Sequence, residues 1–287
     1  MSLIVGVHGI ARQQLGRGQL TASWKPALGD CIERACGHPV RDVPLDIAFY
    51  GHLFLAPLND TPPAKGGLAV DEWWHDLDPA AIADLEEVAR QVLPVGAVEE
   101  AEARPSKTRT RMPAFLRAID QRFPAGGVLA FGDLIQVRRY LLDPGVKHRV
   151  DAAVDAAVTQ DCRVLIAHSL GSVVAFEYLR RHPGSRFETL VTLGSPLGLR
   201  LVQKLVPNPA YGIAFGIPPQ LRAWINVRDR RDPVACAGPL GQWWPGVKDC
   251  PPVDNGRDAH SATAYLGKQA TGEAVLAALP SLAQLSS

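Results

Sequence analysis

Apolar residues along the chain recur in two registers, short unbroken runs and helical spacings, and the two alternate. Residues 3–7 form a continuous apolar run ending at His8-Gly9, the pattern of a strand buried on both faces of a parallel sheet. Trp24, Leu28, Ile32 and Ala35 then repeat at helical spacing until Gly37 and Pro39 stop them. Residues 43–50, with Ile47, Phe49 and Tyr50, predict a second strand closed by Gly51. Further strands are predicted at 162–167, 186–193 and 221–227, with a last one at 247–253 that Pro251 and Pro252 weaken. Helical spacings fall at Leu134, Val137 and Leu141, at Val146, Val150, Val154 and Ala157, and over 173–181. A short helix is marked by Leu199, Val202 and Leu205, and a closing helix by 274–279, after Tyr265 and Leu266. This alternation predicts βαβ units, hence an α/β fold: a three-layer α/β/α sandwich around a mainly parallel sheet.

Residues 52–127 interrupt the sheet-like pattern. Asp78 before Pro79 reads as an N-cap and first-turn proline, followed by Ile82, Leu85, Ala89 and Val92 on one helical face. A second helical stretch starts near Pro113 and carries Phe115, Leu116 and Ile119. Between them Glu99, Glu100 and Glu102 give way to Arg104, Lys107, Arg109 and Arg111 without apolar periodicity, which predicts an exposed, mobile loop. The expectation is one domain over 1–287 with a mostly helical cap inserted at 52–127.

Composition narrows the function. With 47% hydrophobic and 21% charged residues the chain can fill a large core. A net charge of +1 leaves no excess for a nucleic-acid backbone or an anionic membrane. No apolar run reaches the length of a membrane span, and the N-terminus shows no secretion signal, so a cytoplasmic protein is expected. The five cysteines are odd in number and scattered, and none forms a Cys-x-x-Cys pair, which fits reduced thiols and no zinc site.

The segment Ala167-His168-Ser169-Leu170-Gly171 lies between the predicted strand ending in Val164-Leu165-Ile166 and the helical stretch over 173–181. A serine nucleophile needs this strand, sharp turn and helix, because the strained turn lifts the hydroxyl above the sheet while small neighbours avoid clashes. Ala167 and Gly171 are such neighbours, and the Leu170 N–H at the helix start is placed to donate to an oxyanion.

These residues resemble the α/β-hydrolase superfamily, in particular its lipase and esterase branch with an Ala-His-Ser-x-Gly turn. The resemblance implies an α/β-hydrolase fold, and it gives His8-Gly9-Ile10 the look of the family's oxyanion loop, with the Ile10 N–H as second donor. His8 itself is expected to bond within that loop. The family order of nucleophile, acid, histidine points to the segment after the 221–227 strand for the acid. Asp232, in Asp232-Pro233-Val234, resembles the acid turn, and Asp229 is the alternative. His260, just before the last helix, is the one histidine after both aspartates and takes the place of the general base. His168 is expected to point away from the reacting atoms. Gly194-Ser195-Pro196-Leu197 resembles a pocket-lining loop, with Ser195 in a turn role, and Trp73-Trp74 and Trp243-Trp244 read either as grips on an acyl group or as core.

The resemblance implies a serine hydrolase that cleaves carboxylic esters of a small-molecule or lipid-like acyl substrate through an acyl-enzyme, with no metal or organic cofactor. A thioesterase, amidase or peptidase would use the same groups. A non-catalytic sensor or interaction module on the same fold is the reading from a different class.

Overall fold

The computed structural model describes residues 3–9, 16–40, 42–54, 73–103, 112–124, 126–206 and 217–284. Strand β1 (Ile4–Val7) leads through helix α1 (Arg17–Cys36) to β2 (Leu45–Ala48). Five helices follow: α2 (Pro79–Val92), α3 (Ala97–Ala103), α4 (Ala114–Arg122), α5 (Gly127–Leu142) and α6 (Pro144–Ala157). Strand and helix then alternate through β3 (Val164–His168), α7 (Leu170–Arg181), β4 (Thr189–Leu193), α8 (Arg200–Leu205) and β5 (Ala223–Val227). The chain closes with β6 (Lys248–Asp249), α9 (Ala262–Leu266) and α10 (Gln269–Ala278).

The six strands among the described residues are all parallel, in the order β2-β1-β3-β4-β5-β6. Side chains alternate across the sheet as a strand's period of two requires. Val5, Val7, Leu165 and Ala167 join a core built with α2 to α8, whereas Ile4, Val164 and Ile166 join a separate core with α1, α9 and α10. Helices therefore cover both faces, and the sheet is the middle of three layers. Val7, Ala167 and Thr192 lie abreast, as do Leu193 and Val227, so the loops after β1, β3, β4 and β5 open along one edge. Ligands of open parallel sheets gather at this carboxyl edge.

Several expectations shift. The acidic stretch around Glu99 is not a loop: α3 spans it, burying Val98 and Ala101, while Arg104, Lys107, Arg109 and Arg111 lie outside the described residues. Three of its seven residues are alanine and its three outward glutamates need no apolar period, so two buried contacts suffice to seat the helix. The last strand shrinks to two residues, plus an isolated bridge between Asp229 and Val253, because Pro251 and Pro252 remove the donors that a longer ladder needs. Trp74 and Trp244 are core residues, and Trp244 stacks edge-on against Phe176 at 4.7 Å while its Nε1–H donates to the Leu197 carbonyl at 2.9 Å.

Asp78 caps α2 as expected, accepting from Ala81 N–H at 2.7 Å. Farther along α2, the Gln91 side chain donates to the Gly198 carbonyl at 3.0 Å and accepts from Arg200 N–H at 2.8 Å, satisfying an amide at the start of α8. With Leu85, Val88, Leu116 and Ile119 in the same core cluster as the sheet, α2 and α4 are fixed parts of the packing. No described helix is long and apolar enough to cross a membrane.

Helix α10 crosses α1 at Gly272, where a Cβ would lie 2.2 Å from the Cys31 carbonyl oxygen. Gly272→Ala is therefore expected to destabilise the fold by about 1–3 kcal/mol. Gly18→Ala, on the exposed first turn of α1 with nothing near its Cβ, should stabilise it by up to about 1 kcal/mol. Urea unfolding of the two variants checks both signs.

Candidate active site

Ser169 joins the end of β3 to the start of α7 at φ 55° and ψ −129°, the one non-glycine with positive φ among the described residues. Such a backbone costs of order 1–3 kcal/mol and persists only where its surroundings fix it. They do so here through paired polar groups. Ser169 N–H donates to the Leu193 carbonyl at 3.0 Å, and its own carbonyl accepts from Ser172 Oγ at 2.6 Å. Ser172 Oγ is 2.7 Å from Ser195 Oγ, which accepts from Leu197 N–H at 3.2 Å. Since Ser172 gives its proton to Ser169, Ser195 must donate to Ser172, and the three form one relay under the turn. Two residues on, a Cβ at Gly171 would sit 2.1 Å from the Val7 carbonyl oxygen, so only glycine lets α7 approach β1 this closely.

The Ser169 hydroxyl lies 2.8 Å from His260 Nε2, and His260 Nδ1 lies 2.8 Å from Asp232 Oδ2. A carboxylate only accepts, so Nδ1 carries the imidazole proton and Nε2 is left to accept from the serine. Asp232 is fully buried and wholly engaged: Oδ2 also accepts from Tyr265 hydroxyl at 2.7 Å, and Oδ1 from Val234 N–H at 2.9 Å. Asp229, the alternative acid, is turned to another task. Its Oδ1 accepts from Arg231 N–H at 2.8 Å and its Oδ2 from Asn255 N–H at 2.7 Å, tying the turn after β5 to the segment that leads to His260.

Burial opposes charging of His260, but the charge and hydrogen bond of Asp232, with Asp133 and Asp258 adding, outweigh it and hold its pKa above the ordinary 6.5. His8 is the opposite case, held down at about 4 by burial against its bond to Gly9. It is neutral, takes the Tyr50 amide on Nε2 at 3.2 Å, and stacks on the Tyr50 ring at 4.2 Å. His8 thus braces the loop after β1.

Leu170 opens α7, where helix geometry supplies no acceptor for the first amides. Ile10 lies outside the described residues. His168 does not point away, contrary to expectation: its Nε2 is 2.9 Å from the His260 carbonyl oxygen and its ring centroid 4.6 Å from that of His260. Residues 194–197 support the acid and the turn and are not among the described cavity walls. Gly194 has φ 55°, and a Cβ there would lie 2.6 Å from Asp232 Oδ2.

A cavity of about 650 Å³ opens on one side of His260, within the size range of small-molecule sites. Its walls include Phe123, Leu129, Ala130 and Asp133, with the exposed Arg122, Arg231 and Arg257, and Ser169 is not among the described residues lining it. Asp133, on α5, is pushed up to about 6 by burial, opposed by the nearby His260.

Sequence reasoning passed over Asp133, Tyr265, Ser172 and the contact made by His168. Only His168 carried a local signal, its place beside the serine. No family model matches the chain, and no curated protein and no solved structure matches it.

Ser169→Gly and Ser169→Ala both remove the hydroxyl, but only glycine relaxes a backbone at φ 55°. Ser169→Gly is expected to be the more stable of the two by about 1 kcal/mol in denaturant unfolding. Equal stabilities would mean the turn is not strained.

Proposed function

We propose that this protein is a serine hydrolase of the α/β-hydrolase type that cleaves carboxylic esters through an acyl-enzyme. The observation that carries this reading is the unbroken chain from Asp232 through His260 to Ser169, at 2.8 Å for each contact, ending on a serine held in a strained strand-to-helix turn. A purely structural serine gains nothing from that backbone strain. No observation favours the reading as a non-catalytic module.

Ser169 Oγ attacks the ester carbonyl as His260 Nε2 takes its proton. The developing oxyanion is met by the Leu170 amide, with the Ile10 amide assigned as second donor by family resemblance alone. Asp232 keeps the imidazole in the productive tautomer and stabilises the imidazolium. His260 then gives its proton to the departing alkoxide, and a water attacks the acyl-enzyme by the same exchange in reverse order. His168, bonded to the His260 backbone, and Tyr265, bonded to Asp232, act as positioning residues. In this reading residues 52–127 serve as the cap, and among its described residues α4 leads into Phe123 beside the cavity.

A fluorophosphonate should label the wild type and not Ser169→Ala, and turnover of p-nitrophenyl esters should fall by on the order of 10⁴ in Asp232→Asn and on the order of 10⁶ in His260→Ala. A folded wild type that neither labels nor turns over any ester overturns the reading. Because the base must be neutral and its pKa is held above 6.5, kcat/KM should fall as the pH drops through a value above 6.5. Removing the Asp232 charge in Asp232→Asn should move that acid limb to lower pH.

A further inference from the structure

We propose that the cavity beside His260 receives the alcohol half of the ester and that Asp133 selects alcohols with a second, free hydroxyl, so that the substrates are partial esters of polyols. This rests on the hydrolase reading above. The side of the site is set by the chemistry. One atom, His260 Nε2, both takes the serine proton and returns it to the leaving oxygen, so the leaving group must lie on the imidazole side of the reacting carbonyl. The cavity has His260 as a wall and Ser169 not among its described walls, which is the position a leaving group occupies and an acyl chain does not.

The walls then specify the alcohol. Leu129, Ala130 and Asp133 fall on one face of α5, and Phe123 adds apolar surface beside them. Into this apolar setting Asp133 brings a carboxylate that makes no hydrogen bond or ion pair among the described residues, its one recorded interaction being through space with His260. A half-buried acceptor without a donor is costly, and a ligand hydroxyl removes that cost. The donor should be neutral. Three exposed arginines line the cavity, Arg122, Arg231 and Arg257, against Asp133 and Asp258; Arg231 is paired with Asp229 and Asp254, while Arg122 and Arg257 have no ion pair among the described residues, so an ammonium alcohol meets more positive than negative charge on the way in. An anionic alcohol would be driven against Asp133. A hydroxyl satisfies Asp133 and crosses the mouth without penalty. In the reaction the acyl–oxygen bond breaks, the diol or triol leaves with the proton carried from Ser169 by His260, and water completes hydrolysis of the acyl-enzyme.

The test is the ratio of kcat/KM for ethylene glycol monobutyrate to that for propyl butyrate, which differ by a hydroxyl in place of a methyl. At a pH where Asp133 is ionised, the wild type should favour the glycol ester by about tenfold or more, as one hydrogen bond to a charged acceptor implies. Asp133→Leu should bring the ratio to one or below. Asp133→Asn, close in shape and still carrying an acceptor oxygen, should keep part of the preference and guards against misfolding of the leucine variant. A ratio near one in a wild type that labels with fluorophosphonate, or a ratio untouched by Asp133→Leu, overturns this inference and leaves the hydrolase reading standing. Preference for dimethylaminoethyl butyrate overturns it in favour of a cationic alcohol. A wild type that does not label removes both.

Discussion

The turn from β3 into α7 has one course open to it, and the candidate site depends on that course. Helix α7 packs so closely on β1 that a side chain at Gly171 would strike the Val7 carbonyl, and the chain must pass from sheet to helix within a single residue. Ser169 is that residue, and φ 55° is the result. The strain is tolerable because both backbone polar groups of Ser169 are bound, its N–H to the Leu193 carbonyl and its carbonyl to the Ser172 hydroxyl, which Ser195 in turn supports. The same conformation that costs stability aims the hydroxyl out of the sheet toward His260.

The far end of α7 is held by different physics. Glu177, nearly fully buried, pairs with Lys147 from α6 at 2.9 Å and with Arg180 at 2.8 Å. Arg181 pairs with Asp151 at 2.6 Å, and Asp151 also accepts from the Tyr140 hydroxyl at 3.0 Å. Buried ion pairs contribute little net stability over apolar packing, but removing one partner strands the other charge at a cost of about 3–5 kcal/mol. They penalise any displacement of α7 against α5 and α6. A helix pinned by a glycine contact at one end and a charge network at the other gives Ser169 a rigid base.

What could be read from the sequence follows from how local each signal is. The runs at 3–7 and 162–167 marked β1 and β3 because central parallel strands are apolar on both faces, and the helical spacing of Val146, Val150 and Val154 marked α6 because a helix buries one face. The serine turn was legible because strand, small residue and helix are adjacent in the chain. In the sequence only the resemblance of its Asp-Pro-Val turn favours Asp232 over Asp229, since both follow β5 and it is the fold that turns one toward His260 and the other toward Asn255. Asp133 and Tyr265 gave no signal. Their meaning comes from residues far along the chain that no spacing rule connects, His260 for Asp133 and Asp232 for Tyr265. The helix α3 was missed because its two buried residues are too few to set a period.

Two carboxylates share the surroundings of one imidazole, and their hydrogen bonding divides the labour. Asp232 accepts from His260, Tyr265 and Val234, so its geometry is fixed before any ligand arrives and it orients the ring. Asp133 accepts from none of the described residues, and burial without donors raises its pKa, so it remains available to whatever enters the cavity. Both add negative potential at His260 and favour its protonated form. A donor bound at Asp133 would spread part of that charge into its own hydrogen bond, weakening its pull on the imidazolium and making His260 easier to deprotonate. On the proposal that a ligand hydroxyl binds Asp133, occupancy of the cavity and the proton affinity of His260 are coupled through this carboxylate.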